Sequence, residues 1–554
     1  MANKRTVNRT ARRLKKNRHG LSLDAPLLHQ DHSRPVTRRD FLRQGFITGT
    51  GVTLGGSLFS LFANPRAAHA ELSADLQTMF TNNPNCALGT AGGNIPFICF
   101  DLAGGASMVG SNVLAGGQGG YLNDPISAAG YSKMGIPGDM VPGIVDAAST
   151  MSGPNNDFID TRLGLPFHSD SGFLRGIMEK VSIGTAPLIN GAVIPARSDN
   201  DTGNNPHNPM YGIARTGSNG SVVTLIGSRN SESGGNSVAP AMSIDPSVRP
   251  TKVDRPSDVT GMVDTGDLTA VLTKDDAKAV MESIARLSDK KAARIDADSV
   301  VREMVNCGYL SAADIADRFV GVEISPDDRN AEDPADRVIV NNNGGIFTEA
   351  EFDGEGEFRK TAAVMKMVID GYAGAGTITM GGFDYHTGDR QAGERRDLRA
   401  GRCMGACLEY AARRGQPLMM YVFSDGSVAS NGSIDGSQDG RGKGVWTGDN
   451  SSTAGSFFLV YNPTDNGGQA TLFSGDNLGD ERHQQIGWFR SDGSVETASS
   501  VAANNVNLLV VTVVLNYLAL HGTNYRDVYP SLFPDNDLGT DAHMMSLTAF
   551  NSIR

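Results

Sequence analysis

Apolar runs and helical stripes alternate along most of this 554-residue chain. Thr377-Ile378-Thr379-Met380 reads as a strand ending in Gly381-Gly382-Phe383-Asp384-Tyr385-His386. A charged, helix-favouring stretch follows from about Glu394 to Arg414, with Leu398, Cys403, Ala406, Cys407 and Tyr410 at helical spacing. Gly415-Gln416-Pro417 stops it, and Leu418 to Phe423 reads as a second strand running into Ser424-Asp425-Gly426-Ser427. Strand, helix, strand in this order predicts a parallel crossover, with both strand tips on one edge of the sheet. Ile95–Phe100, Ala186–Pro195 and Ile486–Phe489 read as further strands.

Helical spacing recurs elsewhere. Thr273-x-x-Asp276 resembles a capping box ahead of an apolar face made by Ala277, Val280, Ile284 and Leu287. A second helix is expected from about Ser299 to Phe319, so that 273–320 forms a helical hairpin inserted on the sheet, and a third from Phe358 to Tyr372. Leu508 to Leu520 is apolar but too short to span a bilayer and is interrupted by Asn516, so it reads as a buried helix. The Gly- and Pro-rich stretch from Gly116 to Asp170 reads as a long loop region, and the acidic stretch from Ser325 to Gly356 as a surface excursion. The pattern predicts an α/β fold, with a largely parallel central sheet flanked by helices.

The chemistry-bearing residues sit at the strand tips. Asp384 and His386 are i and i+2 at an extended end and so aim the same way, and Asp425 ends the next strand. Two carboxylates and an imidazole on one edge suit a divalent cation such as zinc, while an Asp that caps a turn is the competing reading. The Ile95–Phe100 run ends in Asp101 and the turn Gly104-Gly105-Ala106-Ser107. That turn is a weak phosphate-cradle signal, since neither a P-loop Lys nor a dinucleotide fingerprint follows. His207 follows the Ala186–Pro195 strand in a polar loop, and His483 precedes Ile486. Asn431, Asp435 and Asp439 recur every four residues, either as a calcium-holding loop or as a solvated hairpin tip.

The first seventy residues read as an address. Thr37-Arg38-Arg39-Asp40-Phe41-Leu42-Arg43 is a twin-arginine signal, an apolar Gly-rich stretch runs from Phe46 to Ala63, and Ala68-His69-Ala70 supplies a small-x-small pattern for cleavage after Ala70. The expectation is export in a folded state by the twin-arginine translocase to the periplasm or beyond, with no permanent membrane span after cleavage. The leader carries thirteen Lys and Arg against three Asp, so the remaining 71–554, expected as one domain with insertions, has a formal charge of about -22 rather than -12. Such a surface excludes nucleic acid and anionic lipid as partners. Five cysteines, Cys86, Cys99, Cys307, Cys403 and Cys407, show no metal-like spacing and are too few for a disulfide scaffold.

Asp384-x-His386 after a Gly-Gly-aromatic strand end, then a helix and an apolar strand ending in Ser424-Asp425, resembles an exported bacterial family. It is the one catalogued as domain of unknown function fifteen-oh-one. The Gly104-Gly105-Ala106-Ser107 turn resembles that family's Gly-Gly-x-Ser. The family looks like a branch of the alkaline phosphatase and sulfatase superfamily. The resemblance implies an alkaline-phosphatase-like fold and a metal-dependent hydrolase acting on a phosphate or sulfate ester, of a small molecule or a saccharide. It implies Asp101, Asp384, His386 and Asp425 as metal ligands, with zinc, manganese or calcium as the ion, and Ser107 as nucleophile. His207, Asp449 and His483 are further candidates. Gly426 and Asn450 stand where the pattern has His, and these departures imply the alternative, a catalytically degenerate member kept for binding a partner or a saccharide.

Overall fold

The central sheet is assembled from strands far apart in the chain. The computed structural model describes residues 73–82, 94–198, 207–228, 239–245, 248–263, 273–292, 324–388, 390–522, 524–534 and 538–554, with a few single residues between 294 and 313. The strands are β1 (Phe97–Ala103), β2 (Ile159–Leu163), β3 (Leu165–His168), β4 (Ile189–Pro195), β5 (Val223–Gly227), β6 (Thr251–Lys252), β7 (Ala373–Gly381), β8 (Leu418–Phe423), β9 (Val428–Asp435), β10 (Lys443–Asp449) and β11 (Gly455–Tyr461). Seven of them form one sheet in the order β4-β11-β8-β1-β7-β5-β6. β1 pairs in parallel with β7 and β8, and β5 in parallel with β7 and β6. β11 alone runs against the rest, antiparallel to both β8 and β4. The C-terminal ends of β1, β4, β5, β7 and β8 therefore share one edge. This is the expected α/β architecture, and every described residue belongs to one compact unit.

The central strands are buried on both faces, as parallel strands covered by helices must be. The principal helices are α1 (Ala74–Asn82), α2 (Gly172–Lys180), α3 (Met210–Arg215), α4 (Lys274–Ala292), α5 (Gly356–Ile369), α6 (Arg390–Arg414) and α7 (Val506–Leu520). Ile98, Phe100 and Leu102 share one core with residues of α2, α5 and α6. Phe97 and Cys99 share the other with residues of α3 and α7. Glycines let α2 and α6 approach closely: a Cβ on Gly401 would sit 2.3 Å from the Phe173 carbonyl oxygen, and one on Gly176 2.2 Å from that of Leu398. α7 passes unbroken through Asn516, whose amide donates to Thr512 O and Leu547 O and accepts from Ala549 N.

Several expectations are corrected. α6 starts at Arg390, four residues early, because the Arg390 guanidinium is buried against Glu394 one turn on. The stretch 325–356 is mostly exposed or half-buried but anchored to the core: Ile339, Val340, Ile346, Phe347 and Phe352 are buried, and Asp328 accepts the Ile339 and Val340 amides at 2.7 Å each. Ile486–Phe489 is not a strand: isolated bridges form only at Gln485, with Val193, and at Phe489, with Val495. Ahead of β1, α1 is tied to α4 by the Asp75–Arg286 ion pair. α4 carries its Thr273–Asp276 cap, but the second helix of the expected hairpin, 299–319, lies largely outside the described residues, as do Cys86, Cys307, Arg38, Arg39 and Ala70. No described helix is long and apolar enough to cross a membrane.

Candidate metal centre

The tips of β8, β1 and β7 are knitted together before any ligand enters. Asp101 on β1 lies in register with Thr379 on β7 and Phe423 on β8. Beyond it, the Gly104 amide donates to Asp425 Oδ1 at 2.7 Å, and the Gly105 and Ala106 amides donate to Ser424 Oγ at 3.0 and 2.8 Å. These three amides are satisfied within the fold, so the turn offers no cradle for a phosphate. β7 leaves the sheet through Gly382, at φ +92°, into a turn whose residues alternate in direction. Phe383 and Tyr385 are buried, whereas Asp384 and His386 face outward, with side chains 64% and 30% exposed. The turn is pinned at both ends, by Phe383 N to Ala103 O at 3.0 Å and by Gly388 N to Trp446 O at 2.7 Å.

That second bond decides the composition of the site. Trp446 lies on β10, and three residues further on Asp449 reaches the outward side of the turn. His386 Nδ1 lies 2.5 Å from Asp384 Oδ1 and 2.7 Å from Asp449 Oδ1. The short distances come without hydrogen-bond geometry: Nδ1 is buried and makes no directed bond to either oxygen. Three potential ligand groups therefore converge. One ligand atom from each of Asp384, His386 and Asp449 lies within 4.8 Å of the others, the one such group among the described residues. Two carboxylates and an imidazole fit a hard or borderline divalent cation held from one side, with the remaining positions left to solvent or substrate.

The other sequence candidates are placed differently. Asp425 is buried and turned inward onto Gly104, while its own carbonyl accepts from Ser198 Oγ at 2.6 Å. Asp101 is fully buried and accepts from Thr379 Oγ1 at 3.2 Å. Neither joins the His386 group. Ser107 is buried, its hydroxyl 3.5 Å from the Val109 carbonyl and its amide donating to Tyr385 Oη. His207 stacks on Phe423 with ring centroids 5.9 Å apart; burial pushes its pKa down to about 4 and keeps it neutral. Its ring nitrogens have no hydrogen-bond partner among the described residues. His483 is buried between Thr548 O, at 2.6 Å, and Asp476, at 2.8 Å. Asn450 caps the following turn, accepting from the Ser452 and Thr453 amides. Asn431, Asp435 and Asp439 belong to the β9–β10 hairpin and its tip, with Asp439 paired to Arg395.

No family model, curated protein or solved structure matches this chain. What the centre can do rests on its own geometry.

Behind the centre lies a layer of charge that the sequence did not single out. Lys443 on β10 is fully buried, 2.8 Å from Glu394 and 3.2 Å from Asp170. Arg441 pairs with Asp170, Arg175 with Glu394, and Arg390 with Glu394 at 2.7 Å while its guanidinium stacks on Trp446, 4.5 Å from the ring centroid. Burial opposes ionisation of Glu394, but Lys443 and Arg390 outweigh it and hold the pKa at about 2. This network docks the β9–β10 hairpin onto α6, and with it Asp449 beside His386. In sequence its only trace is the i, i+4 spacing of Arg390 and Glu394 on one helix.

Proposed function

We propose that this chain is a divalent-cation-dependent hydrolase of phosphate or sulfate esters, with Asp384, His386 and Asp449 holding the cation. The observation that carries this reading is the convergence of His386 Nδ1 on two carboxylates without hydrogen-bond geometry to either. A cation held there would supply Lewis-acid polarisation of an ester oxygen and charge neutralisation for an anionic group. The rest falls to residues of the chain. The buried Phe383 and Tyr385 fix the turn so that Asp384 and His386 face solvent, and the Gly388–Trp446 bond sets the distance to Asp449. Asp384, His386 and Asp449 are all partly exposed, so an ester of a small molecule or a saccharide is the substrate class proposed, and the acidic chain attracts cations. The mostly parallel sheet, with the site at the C-terminal ends of its strands, supports an alkaline-phosphatase-like assignment. Export by the twin-arginine route belongs to the same reading; Arg38→Lys with Arg39→Lys should leave an unprocessed precursor in the cytoplasm.

A second reading, cation or saccharide binding without catalysis, is favoured by the burial of Ser107 and by Asn450, which caps a turn where the resembled pattern has a ligand. Turnover of p-nitrophenyl phosphate and p-nitrophenyl sulfate, with manganese or zinc and with chelator, separates the two. Turnover that needs the cation and is lost in His386→Ala supports the hydrolase. Cation binding without turnover supports the second reading, and absence of both overturns the site.

A further inference from the structure

Between the two outward residues of the turn sits one that faces the other way. Tyr385 is 1% exposed; its hydroxyl accepts from the Ser107 amide at 3.0 Å and donates to Asp397 Oδ1 at 3.2 Å. The other oxygen of that carboxylate accepts from Asn112 Nδ2 at 3.0 Å. Asn112 also donates to Ser107 O at 2.7 Å and accepts from Ser171 Oγ at 2.6 Å and Phe173 N at 3.2 Å. Asp397 thus closes a buried polar ring running from the loop after β1, through the residue between Asp384 and His386, into α6.

We propose that Asp397 is a positioning residue for the Asp384, His386 and Asp449 set, acting through Tyr385: ionised, it grips the turn, and protonated, it releases part of that grip. The consequence for cation affinity rests on the reading given above, whereas the coupling of Asp397 to the turn does not. An ionised acceptor makes a hydrogen bond roughly twice as strong as a neutral one, so the proton on Asp397 changes how firmly Tyr385 is held. Among the described residues no cation forms an ion pair with Asp397. Of the groups facing it, Glu394 and Arg390 come from its own helix, Tyr385 from the turn, and Asn112 from the loop after β1. Arg175 of α2 and Lys443 of β10 are bonded to Glu394 and Asp170 instead. Burial pushes Asp397 up to about 7, with Glu394 reinforcing the shift and Asn112, Arg390 and Tyr385 opposing it. The proton is therefore exchanged near neutral pH, from a group outside the set of cation donors.

The sign is fixed by linkage. Between the ordinary carboxylate value of 3.8 and about 7, the folded protein holds a proton that the unfolded chain has lost, so Asp397 makes stability fall as pH rises through that window. Above about 7 the carboxylate is ionised: the fold as a whole is strained there, and the turn is held most tightly. These opposite effects on global stability and on the turn distinguish positioning from a purely structural role.

Hydrogen exchange of the 383–388 segment in the metal-free protein tests the coupling, through the amides of Phe383, Tyr385 and Gly388. After correction for intrinsic pH dependence, exchange in the parent should be about fivefold slower at pH 8 than at pH 6. Asp397→Asn keeps His386 and the shape of the side chain and should abolish that difference, while Tyr385→Phe should exchange fast at both values. The inference is overturned if Asp397→Asn keeps the parental pH dependence, or if Tyr385→Phe is as slow as the parent. Manganese affinity at pH 8, measured in parallel, should drop severalfold in Tyr385→Phe. A parent that takes up no manganese at all removes the cation reading and leaves the coupling to be decided by the exchange data.

Discussion

Gly104 lies so close to Asp384 that a Cβ built on it would sit 2.2 Å from the Asp384 amide nitrogen and 2.7 Å from the Phe383 carbonyl carbon. The same glycine donates its amide to Asp425. One residue at the tip of β1 therefore sets how β7's turn leaves the sheet and what the β8 carboxylate does.

Gly104→Ala is expected to displace the turn as well as to strain its own backbone at φ +130°, at a cost of about 2–4 kcal/mol. Cation affinity should fall with it, by about tenfold or more. Gly105→Ala is the control: its φ is +105°, but the new Cβ would meet nothing closer than the Ser427 amide nitrogen at 3.4 Å. It should lower the melting temperature and leave cation binding near the parental value. Equal loss of binding in both variants would mean that general strain, not the contact with Asp384, is responsible.

Asp425 and Asp384 both follow strand ends, and the structure gives them opposite behaviour. Asp425→Ala strands the half-buried Gly104 amide and should cost about 1–2 kcal/mol with or without chelator. Asp384→Ala removes an exposed carboxylate and should cost under about 0.5 kcal/mol in chelator, while losing the stabilisation that added cation gives the parent. Thermal melts of the three proteins with manganese and with chelator check this. A chelator-dependent loss in Asp425→Ala would move that residue into the cation site.

Lys443 is the buried cation between Asp170 and Glu394. Lys443→Met takes from Asp170 and Glu394 a buried cation that they share and leaves Arg441, Arg175 and Arg390 to balance them, an expected loss of about 3–5 kcal/mol at pH 7. The pH profile adds a second readout. Glu394 is held at about 2 against an ordinary 4.5, and Asp170 is likewise held below its ordinary 3.8. Groups depressed in the folded state contribute fully above their unfolded values and lose that contribution as pH falls through the folded ones. The parent should therefore lose stability steeply from about pH 4 downward, and Lys443→Met more gently. Identical acid slopes in the two melting profiles would show that the network does not set the response.

The strand–helix–strand core was legible because its apolar runs are long and end in unmistakable punctuation: Gly381-Gly382 after β7 and Gly415-Gln416-Pro417 after α6. The i, i+2 spacing also gave the shared direction of Asp384 and His386. What pattern could not show was the partner. Asp425 follows β8, which β1 separates from β7, and it turns inward because Gly104 offers it an amide. Asp449 enters from a hairpin because Trp446 is bonded to Gly388. Likewise, Glu394 on α6 looks like part of a solvated face until Lys443, forty-nine residues further on, arrives beside it. Periodicity locates apolar faces, whereas buried ion networks depend on contacts between distant segments that leave no periodic signal.

The central claim is that Asp384, His386 and Asp449 hold a divalent cation, and manganese binding to the purified chain measures it most directly. Electron paramagnetic resonance titration of the metal-free parent at pH 8 should show one manganese per chain. His386→Ala, Asp384→Ala and Asp449→Ala should each weaken it by more than about tenfold, and Asp425→Ala should not. A parent that binds no manganese or zinc, or binding that survives all three substitutions unchanged, would contradict the assignment.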